Sequence, residues 1–171
     1  MGNISLETMA NLSQIIGAAT VVIGLVFAWF QIRLFHIQQS NTVNAELMRT
    51  FYSRDLAHAV FLLYELPDRI PAAELRANGK DYEEAAMIVT TTFETMGLLV
   101  FQRIAPLRTV TDLAGGMIGV TWRKLERWLE TVRAEQSQPS WAEWFEWLAA
   151  QATTYKSRNA PAHVRFNDWK P

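Results

Sequence analysis

Glu94 stands alone in an apolar run: no other charged residue lies between Ala85 and Gln102, and Phe93 and Thr95 flank it. A carboxyl in such surroundings has two readings. Desolvated in a cleft, it would hold its proton to an unusually high pH and be poised for proton transfer. Paired with an arginine of a neighbouring helix, such as Arg123 or Arg133, or lying at a bundle edge, it would be a buried polar anchor. The second reading is preferred, because no second catalytic group can be named. His36, His58 and His163 fall in three separate segments with no acidic partner at ligand spacing, and HExxH, nucleophile-elbow and phosphate-loop patterns are missing. The chain has no cysteine, which removes thiolate nucleophiles, disulfides and cysteine metal sites. No catalytic residue, metal site or cofactor is therefore expected, and the chain reads as non-enzymatic.

Small residues carry a different chemistry, that of contact. Gly17, Thr20, Gly24 and Ala28 share one helical face, the small-xxx-small pattern that lets two backbones approach closely in lipid. Gly115 and Gly119 repeat that spacing, with Gly116 beside them. Glycine inside a helix costs about 1 kcal/mol against alanine, so the cluster points to tight packing or a kink. Six of the seven tryptophans lie after residue 121. Trp147, off the main apolar stripe, and Trp169, near the C-terminus, suit a partner surface or a lipid interface.

The elements that must hold these residues begin with a stretch from Thr8 to Ile32 that has no charge at all. Its core, Ile15 to Ile32, is long enough for a bilayer needing about 20 helical residues. The preceding flank has no Lys or Arg and no small-residue cleavage pattern closes the run, so a transmembrane helix over 15–34 is expected rather than a signal peptide. Arg33, Arg49 and Arg54 follow it, which puts residues 1–14 outside and the remainder in the cytoplasm of a bacterial inner membrane. Only 19% of residues are charged, against about 25% in soluble proteins. The net charge of −1 offers no field for nucleic acid, and none is expected as a partner.

Beyond the span, apolar residues recur at helical spacing and neither Pro nor Gly appears between Leu25 and Leu66, so one helix is expected from about Ser13 to Leu66. Asn41 and Asn44 lie near its apolar face, where a polar residue can set the register of an association. After a loop with at most a short helix past Pro71, a second long helix is expected from Asp81 to Pro106. It opens on a capping box of Asp81 and Glu84, with Ala86, Val89, Phe93, Met96 and Val100 on its buried side. A further span over Met87–Ile104 is rejected, since Glu94 near its centre costs about 2.5–3.5 kcal/mol. A third helix runs from Thr109 or Asp112 to Glu135, burying Ile118, Trp122, Leu125, Leu129 and Val132, with Arg123, Lys124 and Arg133 mostly off that stripe. A fourth follows Pro139 with the capping box Ser140–Glu143, and Trp141, Trp144, Phe145, Leu148, Ala152 and Tyr155 supply its apolar face. The bundle covers 35–156, and 157–171 reads as an extended arm. The expected fold is all-α: one N-terminal transmembrane helix continuing into a long cytoplasmic helix, packed with a small helical bundle.

The run ANLSQIIGAATVVIGLVFAWFQIR followed by QQSNT resembles the opening of an uncharacterised bacterial domain-of-unknown-function family of small single-pass membrane proteins. Phe93-Glu94 before Met96-Gly97-Leu98-Leu99, then Trp122, Arg133 and Phe145-Glu146-Trp147-Leu148, resemble that family's cytoplasmic pattern. The resemblance extends over roughly Asn11 to Ala150. It implies the same anchored helical architecture and brings no activity or site. Three functions follow: a membrane-anchored scaffold or accessory subunit, a homo-oligomeric pore lined by the first helix, and an enzyme built on Glu94. The first is preferred, with the lipid bilayer and a second copy or another membrane protein as partners. The pore lacks a polar stripe beyond Thr20 and Gln31.

Overall fold

The computed structural model describes residues 14, 16, 17, 19–33, 45, 49–51 and 53–170. The expected external segment, apart from Gln14, lies outside the described residues, as do Asn41 and Asn44. The chain divides into two units, Met1–Thr42 and Val43–Pro171.

In the first unit, α1 (Ala19–Arg33) is an apolar helix whose described length is below what a bilayer needs. Every described residue from 14 to 33 is exposed, with Ile23 at 68% and Leu25 at 66%. Among the described residues, one helix is both long and apolar enough to cross a membrane, and it belongs to the second unit: Lys80–Phe101.

The second unit holds α2 (Arg54–Glu65), α3 (Ala72–Ala77), α4 (Lys80–Phe101), α5 (Leu107–Glu135), α6 (Glu143–Arg158) and α7 (Ala162–Arg165), with no strand among the described residues. A single helix to Leu66 does not form. Ser53 is extended at ψ 136 and its hydroxyl accepts from Leu56 N–H, starting α2 afresh. Serine satisfies a free N–H of a first turn well enough to interrupt an apolar pattern without Pro or Gly. α2 then stops before Pro67, which disfavours helical backbone in the residue ahead of it.

The expected capping box at Asp81 is not used. Gly79, at φ 112, starts α4 one residue earlier, where that backbone favours glycine. α4 also ends sooner than Pro106. Arg103 adopts φ 59, its N–H donates to Val100 C=O, and Ile104 N–H reaches back to Leu99 C=O. This is the Schellman arrangement, closed by an arginine in the left-handed position usually given to glycine. The tail is not a simple extended arm: it folds the short α7, and Arg165 donates to the Asn159 side chain at 3.0 Å.

The core forms where α4, α5 and α6 meet. Phe93, Trp128 and Phe145 are its largest buried side chains, joined by Leu125, Leu129, Leu148 and Ile118. The expected stripes of α4 and α5 are buried, apart from Trp122, which is partly covered. With Val89, Phe93, Met96 and Val100 in that core, 44% of α4's apolar window is buried. That is the position of a bundle helix, and its length alone does not make it a span.

Lys124 departs from its expected place. It is buried at 8% exposure, and its ammonium donates to Leu66 C=O and lies 3.8 Å from Asp68. Arg69 N–H and Ile70 N–H bond to the carbonyls of Arg123 and Lys124, so the α2–α3 loop is strapped onto α5. Lys124→Met keeps the stem but orphans the Leu66 carbonyl, an expected loss of about 1.5 kcal/mol in unfolding free energy. An unchanged denaturation midpoint would show that the two N–H bonds hold the strap unaided. At the C-terminal end of α5, Arg76 clamps Glu135 bidentately at 2.6 and 2.9 Å and reaches Glu83 at 3.2 Å, tying α3 to α4 and α5.

Candidate functional site

Several of the bundle residues that carried the family resemblance lie far apart in sequence and meet at one junction. Glu94, in the second half of α4, turns its carboxylate to the start of α6, where Oε2 accepts from Phe145 N–H at 2.8 Å. The residue that should cap α6 cannot do so: Ala142 occupies that position at φ 60 and has no side-chain acceptor. Glu94 supplies the missing acceptor from another helix. Neither arginine expected for Glu94 is bonded to it. Ser140, expected as the cap, sits instead in the preceding turn, where its carbonyl accepts from Glu143 N–H.

One turn further along α4, Gly97 permits the close approach. A Cβ there would strike the Trp144 carbonyl oxygen and fall 2.7 Å from its carbon. Phe93 and Trp122 pack on the Phe145 ring at 5.4 and 5.2 Å. Arg133, near the end of α5, donates through Nε to Trp141 C=O at 2.7 Å and pairs with Glu146 at 2.8 Å. So Phe93, Glu94, Gly97, Trp122, Arg133, Phe145 and Glu146 build one joint.

Burial raises the Glu94 carboxyl above the ordinary carboxylate value near 4.5; the Phe145 and Trp144 N–H groups and Arg133 oppose this, and Glu143 reinforces it. A cleft of about 210 Å³ opens beside it, lined by Thr90, Thr91, Glu94, Gln138, Ser140, Trp141 and Ala142. Thr90 Oγ1 and Arg133 Nη2 are buried with no hydrogen-bond partner among the described residues. The arrangement can hold a helix start in register and accept one further polar group. Glu94 is the one carboxyl among the residues that line the cleft.

The small residues are dispersed. Gly17 and Gly24 face open space, and the Thr20 hydroxyl is tied to Ile16 C=O in its own helix. A Cβ on Gly115 would fall 2.9 Å from the Lys156 stem, whereas one on Gly116 or Gly119 would meet nothing within 4 Å.

A second cleft, between α2 and α4, is lined by His58 with Asp55, Asp81 and Glu84; Asp55 lies one turn before His58 on α2, and the packing of α4 brings the other two. No group of three His, Asp or Glu able to hold a metal occurs among the described residues. His163 is exposed on α7.

No curated protein and no solved structure matches the chain. The family model described as Domain of unknown function (DUF4760) matches residues 18–152, from the apolar N-terminal segment through the Glu94 junction into α6. With most of its length inside that match, the chain belongs to the DUF4760 family.

Proposed function

We propose that the protein is a membrane-anchored, non-enzymatic scaffold or accessory subunit of the bacterial inner membrane, with its N-terminus outside and its helical bundle in the cytoplasm. The observation that supports this is α1. An apolar helix exposed on all faces, with Phe27, Trp29 and Phe30 each at least half exposed, has no favourable place in water. In a bilayer the same surface is matched, and Trp29 and Arg33 suit the interface beneath it. The open face bearing Gly17, Thr20, Gly24 and Ala28 then serves to associate with a second copy or another membrane chain. A pore lined by α1 gains little, because the Thr20 hydroxyl is satisfied within its own helix.

The chain is expected to stay with membranes through carbonate and high-salt washing, and a C-terminal reporter should work only in the cytoplasm. Recovery in the soluble fraction without detergent would sink the anchor. Gly24→Ile, alone and with Gly17→Ile, should lower the mass of the detergent complex or remove its co-purifying chains. An unchanged mass and unchanged companions would leave α1 as an anchor without a contact face.

A further inference from the structure

One end of the bundle differs in charge and hydropathy from the rest. α4 finishes there at Phe101 and α5 begins at Leu107. α6 runs antiparallel to α5, from Trp141 beside Arg133 to Lys156 over Gly115, and so delivers its last turn and the tail to the same end. Residues 101–113 and 153–171 together hold six basic side chains, Arg103, Arg108, Lys156, Arg158, Arg165 and Lys170, against Asp112 and Asp168. That is a surplus of four positive charges in a chain whose net charge is −1. Asp112 is already occupied by Arg108 at 3.5 Å.

Large apolar side chains emerge between these charges. Phe101 is 56% exposed, Val164 57% and Trp169 70%, and Ile104, Leu113 and Phe166 are also exposed. Phe101 packs against Trp144 and Trp147, with ring centroids at 4.5 and 6.0 Å. Arg103 holds a left-handed backbone that glycine would adopt without strain. Keeping an arginine in the loop tip has a conformational cost and places a cation beside Phe101 and Ile104.

We infer that this end of the bundle adsorbs to an anionic bilayer surface, its arginines and lysines on lipid phosphates and Phe101, Ile104 and Trp169 in the headgroup layer. Basic side chains interspersed with aromatic and aliphatic ones are the composition of an interfacial contact. Exposed Ile104, Leu113 and Val164 favour a bilayer over nucleic acid, which offers no apolar layer to receive them. The inference extends the anchored-scaffold reading: it gives the bundle a second hold on the membrane, set by lipid charge.

The absence of cysteine permits single-label tests on the full chain. Ile104→Cys carrying a polarity-sensitive fluorophore should shift to the blue, and be quenched by headgroup-region spin-labelled lipid, in vesicles of phosphatidylcholine with phosphatidylglycerol but not of phosphatidylcholine alone. Glu130→Cys, at the far end of α5, should show neither effect. Arg103→Gly combined with Arg108→Gln should lower the engaged-to-free ratio at least about tenfold, since each basic residue near an anionic surface contributes about fivefold. Arg103→Gly alone should leave the melting temperature equal or higher, so lost adsorption cannot be ascribed to unfolding. A label at residue 104 that stays in water in anionic vesicles, while one at Val22→Cys shifts to the blue, overturns the inference and spares the anchor. If the Val22 label also stays in water, the anchor fails and adsorption to added vesicles decides the inference alone. A residue-104 label that responds to oligonucleotides and not to vesicles overturns it in favour of a nucleic-acid surface.

Discussion

Gly97→Ala is expected to cost about 3 kcal/mol of unfolding free energy, the upper end of what overpacking a well-filled core does. Two effects oppose each other. Alanine favours the helix by about 1 kcal/mol through propensity. Against that, its Cβ would meet the Trp144 carbonyl, backbone on a helix that Glu94 and Arg133 hold from both sides. A flexible side chain could swing away; a carbonyl in the first turn of α6 cannot, so the clash prevails. Gly116→Ala and Gly119→Ala are the controls. Neither Cβ meets anything within 4 Å, and each should stabilise by about 0.5–1 kcal/mol through propensity alone. Denaturant melts of the three variants, with near-ultraviolet dichroism reporting Trp144 and Trp147, measure the contrast. If all three shift the midpoint the same way, the seam between α4 and α6 is looser than its geometry indicates.

That contrast marks where the sequence was readable. Apolar periodicity located α4, α5 and α6 and most of their buried faces, because burial of a helical stripe leaves its period in the residue types. Phe93, Leu125 and Phe145 needed nothing more. Starts and stops were less legible. Ser53 breaks a helix without any Pro or Gly, and Gly79 overrides the capping pair at Asp81, since N–H satisfaction can be met by whichever neighbour lies in reach. The junction was half visible. Glu94 was conspicuous as a lone charge and Arg133 was named as a partner, yet the bond that forms runs to a backbone N–H of α6. No pattern in residues 139–146 says that their cap comes from residue 94. The signal available was negative: Ala142 follows Ser140 where a capping side chain would normally stand. Lys124 escaped for a similar reason, as its carbonyl partner at Leu66 is invisible in residue types. Of the contact glycines, Gly115 packs within the bundle, whereas Gly97, which spacing did not single out, makes the closest approach.

Glu94→Ala is expected to destabilise the protein by about 2 kcal/mol at neutral pH, because it strips the acceptor from N–H groups at a partly buried helix start that nothing else can cap. Glu94→Gln keeps an acceptor oxygen and should recover much of that loss. The pH dependence separates cap from charge. Burial holds the Glu94 carboxyl above its ordinary value near 4.5 in the folded protein. As pH rises past that ordinary value the unfolded chain releases the proton first, so the stability conferred by the protonated carboxyl is full below about 4.5. It is lost as pH climbs through the raised folded value. The glutamine variant has no such loss. Its stability relative to the parent chain should therefore increase from pH 4 to pH 7, read as the difference in urea midpoints at each pH. A difference that stays flat, or falls, would mean that the N–H donors and Arg133 outweigh burial and that the joint prefers a charged Glu94. A folded, normally abundant Glu94→Gln protein that loses its cellular function outright would point elsewhere again, to a carboxylate that handles protons in the cleft beside Thr90 and Trp141.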